Sequence, residues 1–328
     1  MFHKTTRVAL AVTAAAAALA LSACSSTTGS GGQETTGGKH RTIAFIPGCT
    51  CDPYYSTEIK GFEDAARKAG VTPIVQGAAN FQASEQIPVL QAVIQKKPDA
   101  IVIDPTDATA LAAPIAAAVA QGIPVMTTGN NVNSDKIFTA VAASSTMGGK
   151  LGAEELIKQK PQGGKVVFVH IKPGISSIDD REKGFREAFA GKSGYKVLPN
   201  LYAGNDSATQ AAGLVQAAIT ANPDLVAVFA SNVITAEGAA NAVKAAGKTG
   251  KIAVLGYDAS PNEVTELKAG TLTALVSQNP YQIGQLAIEN SVKYLDGDHS
   301  MPKDQPLTPL VITKDNLDEP ASQTALYK

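Results

Sequence analysis

The chain has 328 residues, which is long enough for two domains with full hydrophobic cores. Its formal net charge is −1, and 28 basic side chains are matched by 29 acidic ones. A nucleic-acid partner requires a clustered basic face, so this composition argues against one.

The first 23 residues are predicted to be a lipoprotein signal peptide. Lys4 and Arg7 precede an apolar run at 8–21 that is too short to span a bilayer as a mature helix. The run ends in Leu-Ser-Ala-Cys at 21–24, which resembles a bacterial lipobox and implies diacylation of the Cys24 thiol and cleavage before it. We therefore expect an exported protein that is anchored by lipid to the outer face of the cell membrane. The alternative is an ordinary secretory peptide with an incidental cysteine.

Residues 24–40 are rich in Ser, Thr and Gly and lack apolar periodicity, which predicts a flexible tether. From residue 42 onward, one strand-and-helix plan occurs twice. The stretches 98–107 and 223–232 each begin with Pro-Asp, continue as a short apolar run and lead into an alanine-rich helical stretch. Runs that are apolar on both faces are typical of buried parallel strands. The strands at 42–47 and 122–127 recur at 165–170 and 251–256, so we interpret the chain as a duplicated α/β domain.

In open parallel sheets, ligands bind beyond the carboxyl ends of the strands, so the residues that follow each strand are site candidates. Asp52, Tyr54 and Tyr55 follow the first strand. The tyrosine rings suit stacking against the C–H face of a sugar, while Asp52 is equally suited to cap the next helix. Asp104 and Asp107 follow a later strand, and we interpret them as turn and cap residues.

Later strand ends and one helix offer further polar candidates. Asn130 belongs to an asparagine-rich strand end that is compatible with ligand binding or with an ordinary turn. Arg181 lies on the apolar stripe of its helix, near an N-terminus where the macrodipole disfavours a cation, so we expect it to bond a specific partner. A ligand is one such partner, and a buried pair with Asp179, Asp180 or another acid is the alternative. Strand ends also place Asn232, Asp258 and Gln278, of which Asp258 can cap a helix or accept a bond from a ligand hydroxyl.

Chemistry beyond binding has little support in the sequence. The GxSxG, Walker, HExxH and CxxC patterns do not occur, and the four histidines are scattered. We therefore expect no enzymatic activity, no cofactor and no metal site. Cys49 and Cys51 leave a disulfide, two free thiols and a redox or metal role open. The tail after Thr313 is predicted to be loose.

Seven short stretches together resemble the ribose-binding group of periplasmic-type sugar-binding proteins, the receptor components of ABC importers. They are Asp-Pro-Tyr-Tyr at 52–55, Ile-Asp-Pro-Thr-Asp at 103–107, Gly-Ile-Pro-Val at 122–125, Arg-Glu-Lys-Gly-Phe at 181–185, Ala-Val-Phe-Ala-Ser-Asn at 227–232, Leu-Gly-Tyr-Asp at 255–258 and Gln-Asn-Pro-Tyr-Gln-Ile-Gly at 278–284. The resemblance spans residues 42–312. It implies the type I periplasmic binding protein fold, in which two doubly wound parallel-sheet lobes are joined by three hinge segments. The N-terminal lobe is then expected at 41–143 plus 279–308, and the C-terminal lobe at 144–278 plus 309–320.

The resemblance also implies roles for individual residues. Asp52 supplies a polar group, Tyr54 and Tyr55 stack on the ligand, and four side chains bond its hydroxyl groups: Arg181, Asn232, Asp258 and Gln278. The chain departs from the ribose-binding pattern in two places. Gly129-Asn130 stands where an Asp-Arg pair is usual, and a stacking aromatic of the second lobe is replaced near Asn205. With Asn130 and Asn205 in the site, a different pentose or an acyclic polyol is favoured over ribopyranose.

The expected protein is thus a monomer that captures a small neutral sugar or polyol and delivers it to an ABC permease in the membrane. A sugar-sensing receptor that partners a membrane signalling protein has the same fold and site, and it is the alternative function. Sugar-responsive repressors also share the fold, but they carry a helix-turn-helix before the first strand, where this chain has its leader.

Overall fold

The computed structural model describes residues 41–204 and 207–327. The predicted signal peptide, the lipidation at Cys24, the tether and the predicted site residue Asn205 lie outside the described residues. Within them, none of the helices combines the length and the apolar character needed to cross a membrane.

Strands and helices alternate along almost the whole described chain. In chain order the elements are β1 (Thr42–Ile46), α1 (Pro53–Ala69), β2 (Thr72–Val75), α2 (Ala83–Gln95), β3 (Ala100–Ile103), α3 (Ala112–Ala120), β4 (Val125–Thr128), β5 (Ala140–Ala143), α4 (Ser145–Gln159), β6 (Gly164–His170), α5 (Ser176–Phe189), β7 (Tyr195–Val197), β8 (Leu201–Tyr202), α6 (Ala208–Ala221), β9 (Leu225–Ala230), α7 (Val233–Ala245), β10 (Ala253–Tyr257), α8 (Pro261–Ala269), β11 (Ala274–Ser277), α9 (Pro280–Leu295), β12 (Asp304–Leu307), β13 (Leu310–Ile312) and α10 (Pro320–Ala325).

These strands form two sheets of matching topology. The first has the order β12-β5-β4-β3-β1-β2 and is parallel throughout. The second has the order β13-β11-β10-β9-β6-β7, is parallel except for β13, and carries β8 beside β6. The strands β1, β3 and β4 occupy the same places as β6, β9 and β10. The duplicated α/β plan that the sequence predicts is therefore confirmed.

Each sheet is covered on both faces because its strands are apolar on both faces. In the first sheet, Phe45 and Val102 point toward α1 and α9, whereas their neighbours Ile46 and Ile103 point toward α2 and α3. The second sheet lies in the same way between α4 and α5 on one face and α6 and α7 on the other. This is a doubly wound arrangement in both lobes, as predicted.

Two helix pairs are in backbone contact at glycine positions. A Cβ at Gly284 of α9 would overlap the carbonyl oxygen of Glu58 in α1, and a Cβ at Gly149 of α4 would overlap that of Arg181 in α5. Only glycine permits so close an approach. The two pairs therefore pack in the same manner, and they meet at corresponding positions of α1 and α5.

The chain passes between the lobes three times. It leaves the first sheet after β5 and enters α4 at Ser144, and it returns after β11 through Gln278 and Asn279. A third passage connects β12 of the first sheet with β13 of the second. The predicted fold, with two lobes and three hinge segments, is confirmed.

The prediction of a loose tail after Thr313 is wrong. The side chains of Leu317, Ala325 and Tyr327 are buried. Ser277 Oγ donates to the carbonyl of Ala325 at 2.6 Å, and the Tyr327 N–H donates to the carbonyl of Ala259 at 3.0 Å. The tail belongs to the second lobe, which extends to residue 327 rather than to the expected 320. Short helices are held by tertiary contacts rather than by their own propensity, so the local sequence carries little signal of this docking.

Candidate functional site

One cavity of about 510 Å³ lies at the carboxyl ends of both sheets, between the lobes. Every predicted site residue that the structure describes lines it: Asp52, Tyr54, Tyr55, Asn130, Arg181, Asn232, Asp258 and Gln278. Asn205 is outside the described residues. Residues far apart in sequence meet here because parallel strands end at a common edge.

The first lobe supplies an aromatic wall. The rings of Tyr54 and Tyr55 are nearly perpendicular, at 88° and 5.1 Å between centroids. Tyr55 stacks instead with Phe81, at 20° and 6.4 Å. Phe81 also lines the cavity, and the sequence interpretation missed it. Phe81 lies between β2 and α2, so the rule that ligands bind beyond the strand ends applies to it as well.

Asp52 combines the two roles that the sequence left open. Its carboxylate accepts a hydrogen bond from the Tyr54 N–H at 2.8 Å, which caps α1, and the residue also lines the cavity. Of the alternatives for Cys49 and Cys51, the structure contains the disulfide. Cys49 lines the cavity as well, so the disulfide lies at the site, directly before Asp52 in the chain.

The interpretation of Asp104 as a turn or cap residue is wrong. Asp107 fills that role by accepting bonds from the backbone at 109 and 110, whereas Asp104 is buried and lines the cavity. Asn130 donates to Asp104 Oδ1 through its side chain at 2.6 Å and through its backbone at 3.1 Å. Burial nevertheless raises the pKa of Asp104 to about 7, even though these hydrogen bonds act to lower it.

A second buried acid, Glu58, lies one helical turn after Tyr54 on α1. Its side chain is fully buried, and among the residues described it forms no salt bridge. Burial and then the charge of Asp104 raise the pKa of Glu58 well above its usual range, against a smaller lowering effect of the Thr128 hydroxyl. The ionised form of Glu58 is therefore disfavoured in the folded protein. The sequence interpretation missed it, although it lies four residues before Phe62 on an apolar stripe, as Arg181 does before Phe185.

In the second lobe, Arg181 is buried and bonds neutral groups. Its Nη1 donates to the carbonyl of Ser231 at 2.6 Å, and its guanidinium carbon lies 3.7 Å from the ring centroid of Tyr257. Within the described ranges Arg181 forms no salt bridge, and Asp179 pairs with His170 instead at 3.0 Å. The alternative of a buried pair with a neighbouring acid is therefore wrong, and the charge of Arg181 is directed at the cavity.

Asp258 lies opposite Arg181's helix at the end of β10. Its Oδ1 accepts bonds from Gln278 Nε2 at 2.6 Å and from Tyr327 Oη at 2.5 Å. Burial raises the pKa of Asp258, while Arg181 and these two donors act to lower it. Its backbone has a φ of 110°, a region that side chains other than glycine rarely adopt and that recurs at binding sites. Tyr327 is a further residue that the sequence interpretation missed, because it lies in the tail.

Asn232 combines two roles, as Asp52 does. It closes a capping box with Thr235 at the start of α7 and lines the cavity. The site as a whole presents amides, carboxylates, one guanidinium and aromatic faces, which is the chemistry that recognises several hydroxyl groups on a compact carbon skeleton. In the described part of the chain, no three His, Cys, Asp or Glu side chains are grouped to hold a metal ion.

Comparison with known proteins agrees with this geometry. Residues 43–299 match the periplasmic binding protein domain family. The ribose import binding protein of Bacillus subtilis is 31% identical over 259 residues, which is 79% of this chain and 83% of that protein. An ABC transporter solute-binding protein from Agrobacterium vitis, bound with α-D-tagatopyranose, is 36% identical with a TM-score of 0.85, and the match covers 88% of this chain and 99% of the other.

A carbohydrate transporter solute-binding protein from Agrobacterium radiobacter, in complex with D-arabinose, has a TM-score of 0.83 at 29% identity, with the same coverage. Because these relatives are transport proteins that act outside the cytoplasm, the prediction that the chain is a binding protein rather than an enzyme is confirmed. The chain belongs to the periplasmic binding protein family, among the sugar-binding proteins of ABC transporters.

Proposed function

We propose that this protein is the lipid-anchored receptor of an ABC importer, which captures a small neutral sugar or sugar alcohol between its lobes and delivers it to a membrane permease. The observation that carries the proposal is the convergence of eight separately predicted side chains on one cavity. Arg181 and Asp258 supply charge-assisted bonds to ligand hydroxyls, and Asn130 and Asn232 supply neutral ones.

Capture by hinge closure is supported by two hydrogen bonds that link the lobes. The Ser177 N–H donates to Asn130 Oδ1 at 3.2 Å, and the Asn131 N–H donates to Ser176 Oγ at 2.8 Å. Both join the end of β4 to the start of α5, so opening of the cleft breaks them and closure restores them. In the closed arrangement the lining side chains are shielded from water, which strengthens their bonds to a ligand.

The first lobe favours a ligand other than ribopyranose. Asn130 stands where ribose-binding members carry a charged residue, and its amide is already engaged by Asp104 and Ser177. Among the described residues that line the cavity, the first lobe contributes no other cation in place of this charge. A different pentose or an acyclic polyol needs fewer charged contacts here. The D-arabinose bound by the Agrobacterium radiobacter protein supports a pentose other than ribose, whereas the Agrobacterium vitis protein binds a hexose and the Bacillus relative is a ribose import binding protein.

A ligand panel tests the proposal. The purified protein is screened by thermal shift and then by calorimetry against D-ribose, D-arabinose, D-xylose, D-tagatose, erythritol and ribitol. We expect saturable stabilisation by at least one pentose or alditol other than ribose, because only the folded, closed protein binds it. Tight binding of D-ribose alone contradicts the proposed specificity, and the absence of binding to every sugar and polyol contradicts the proposed function.

The anchor is a separate part of the proposal, and its support is the lipobox-like stretch at 21–24. A mature chain that begins at a diacylated Cys24 has a defined mass and partitions with the membrane. Mass spectrometry of the protein from a membrane fraction of the host checks this directly. A mature terminus elsewhere, or an unmodified cysteine, contradicts the anchor and leaves the sugar site unaffected.

A further inference from the structure

The tail that follows β13 reaches the ligand site from behind. It is fixed at two points beside the site: Ser277, the last residue of β11, bonds Ala325, and the carbonyl of Ala259 accepts from the N–H of Tyr327. Ala259 is the residue directly after Asp258. The tail thus holds the backbone on both sides of the site's principal carboxylate.

The side chain of Tyr327 completes this arrangement. It is 4% exposed, and its hydroxyl donates to Asp258 Oδ1 at 2.5 Å. Gln278 Nε2 donates to the same oxygen at 2.6 Å. With these two side-chain donors on Oδ1 and a further backbone hydrogen bond from Val233, the carboxylate has a fixed orientation. Asp258 lines the cavity and Tyr327 does not, so Tyr327 acts on a ligand only through Asp258.

Tyr327 also contacts the other lobe. Its ring lies 6.1 Å from that of Tyr54 in α1, at 68°, an edge-to-face geometry that favours aromatic pairs. Tyr54 belongs to the aromatic wall of the first lobe, whereas the tail belongs to the second. This contact exists only while the lobes are closed, so one residue connects the orientation of Asp258 with lobe closure.

We propose that Tyr327 is a positioning residue for ligand binding, which orients the carboxylate of Asp258 through its hydroxyl and meets Tyr54 through its ring when the lobes close. The inference rests on the proposed function, and it adds the tail to the binding machinery. The tail's role is to supply the hydrogen-bond donor that an acid in a buried, strained backbone position requires.

The test removes only the hydroxyl, with Tyr327→Phe. Tyr195→Phe is the matched control, because Tyr195 also lies in the second lobe and donates its hydroxyl to a backbone carbonyl, Lys160 O at 2.6 Å, but does not line the cavity. Affinity is measured by calorimetry with the tightest-binding member of the sugar and polyol panel. We expect Tyr327→Phe to weaken binding roughly tenfold, as for a lost hydrogen bond to a charged group, and Tyr195→Phe to leave affinity within about twofold.

A pH profile separates positioning from a merely structural role. The titratable groups that surround Asp258 are Arg181, Tyr257, Glu263, Tyr54 and Tyr327. Loss of the Tyr327 donor removes a bond to the ionised carboxylate, so the pH at which affinity falls on acidification moves upward in Tyr327→Phe. Identical affinity and an identical profile in Tyr327→Phe and the unaltered protein overturn the proposal.

A ligand-free measurement keeps this inference distinct from the proposed function. Thermal unfolding is followed from pH 4 to pH 8 for the unaltered protein, Tyr327→Phe, Asp258→Asn and the double variant. We expect the destabilisation by Tyr327→Phe to grow as pH rises, because Asp258 ionises without its donor, and we expect this growth to vanish in the Asp258→Asn background. If no sugar binds but this coupling is present, the proposed function fails while the positioning of Asp258 stands. A pH-independent destabilisation, or one that persists in Asp258→Asn, overturns the inference.

Discussion

The two lobes have one plan but carry different side chains, an acid and a base, at its equivalent points. Helices α1 and α5 follow the corresponding strands β1 and β6, and Glu58 lies as far from the start of α1 as Arg181 lies from the start of α5. The carbonyl of each is contacted by a glycine of the partner helix, Gly284 or Gly149. The duplicated backbone thus offers one buried position per lobe beside the cavity. An acid occupies it in the first lobe and a base in the second.

The surroundings of these two residues differ accordingly. Glu58 has Asp104 as its charged neighbour, and burial raises the pKa of both acids, so the first lobe disfavours two buried negative charges at once. Arg181 instead lies across from Asp258, and its charge acts to lower the pKa of that acid. The second lobe can therefore keep a cation and an anion in the same cavity.

The division of labour follows from this difference. Under the proposed function, the second lobe supplies the charge-assisted bonds to the ligand, and the first lobe supplies aromatic faces and a neutral amide. The two lobes therefore agree in where these side chains are placed and differ in the chemistry of the side chains. Ligand preference is consequently expected to follow substitutions in the first lobe, whereas affinity depends most on the second.

Arg181→Gln, in the second lobe, should have the largest effect on sugar affinity. Arg181→Gln removes the cation that acts to lower the pKa of Asp258 and that is expected to bond a ligand hydroxyl. A hydrogen bond made by a charged group contributes about 1.5–3 kcal/mol, so we expect sugar affinity to fall at least about tenfold by calorimetry. The pH at which binding is lost on acidification should also rise.

Arg186→Gln is the control for this change, because Arg186 is on the same helix but pairs with Glu182 at 2.6 Å on the surface. Its affinity should stay within about twofold, since exposed ion pairs contribute little. Equal affinities for the two variants contradict the assignment of the charged contacts to the second lobe.

Asp104→Asn tests the first lobe's buried acid by a smaller, pH-dependent effect. In the folded protein the pKa of Asp104 is about 7, above its ordinary value of 3.8, so the folded state holds a proton that the unfolded state has released. This contribution to stability is complete below pH 3.8 and is lost as pH rises toward 7, at about 1.4 kcal/mol per pH unit at most. Asparagine should remove that slope and weaken sugar binding only about threefold to tenfold.

Chemical denaturation between pH 4 and pH 8 measures the slope. Asp107→Asn is the control, because Asp107 ends the same strand-to-helix turn but accepts only local backbone bonds. It should keep the slope of the unaltered protein. Other buried acids, Glu58 among them, contribute a slope of the same sign, so part of the slope remains in both variants. A slope in Asp104→Asn that equals that of the unaltered protein shows that Asp104 is ionised in the fold, and the first lobe then carries negative charge after all.

Sequence patterns predicted the parts of the site that depend on local rules. Strand ends in a parallel sheet determine where Asp52, Asn130, Asn232 and Asp258 lie, and a cation on an apolar stripe identified Arg181. The same rules also apply to Asp104, Phe81 and Glu58, but their alternative roles as cap, core and surface residues are locally just as favourable.

Tyr327 differs from these residues, because no local pattern indicates it. Its burial depends on contacts with β11 and with the residue after β10, which are distant in sequence. Tertiary contacts of this kind are specified by the assembled fold, so periodicity and turn signals carry no trace of them.

Glu58→Gln, at the equivalent position of the first lobe, should have the smallest effect on sugar affinity. Glu58→Gln keeps the size of the side chain and replaces a carboxyl group whose pKa is raised well above its usual range by burial, so we expect sugar affinity within about twofold of the unaltered protein at neutral pH. The variant should also be more stable toward alkaline pH, because the unaltered fold must keep Glu58 protonated while the unfolded chain ionises it. Calorimetry with the panel's best ligand and thermal unfolding at pH 8 check both statements. A loss of affinity comparable to that of Arg181→Gln means that Glu58 is ionised in the site, and the two lobes would then both contribute charge to the bound ligand.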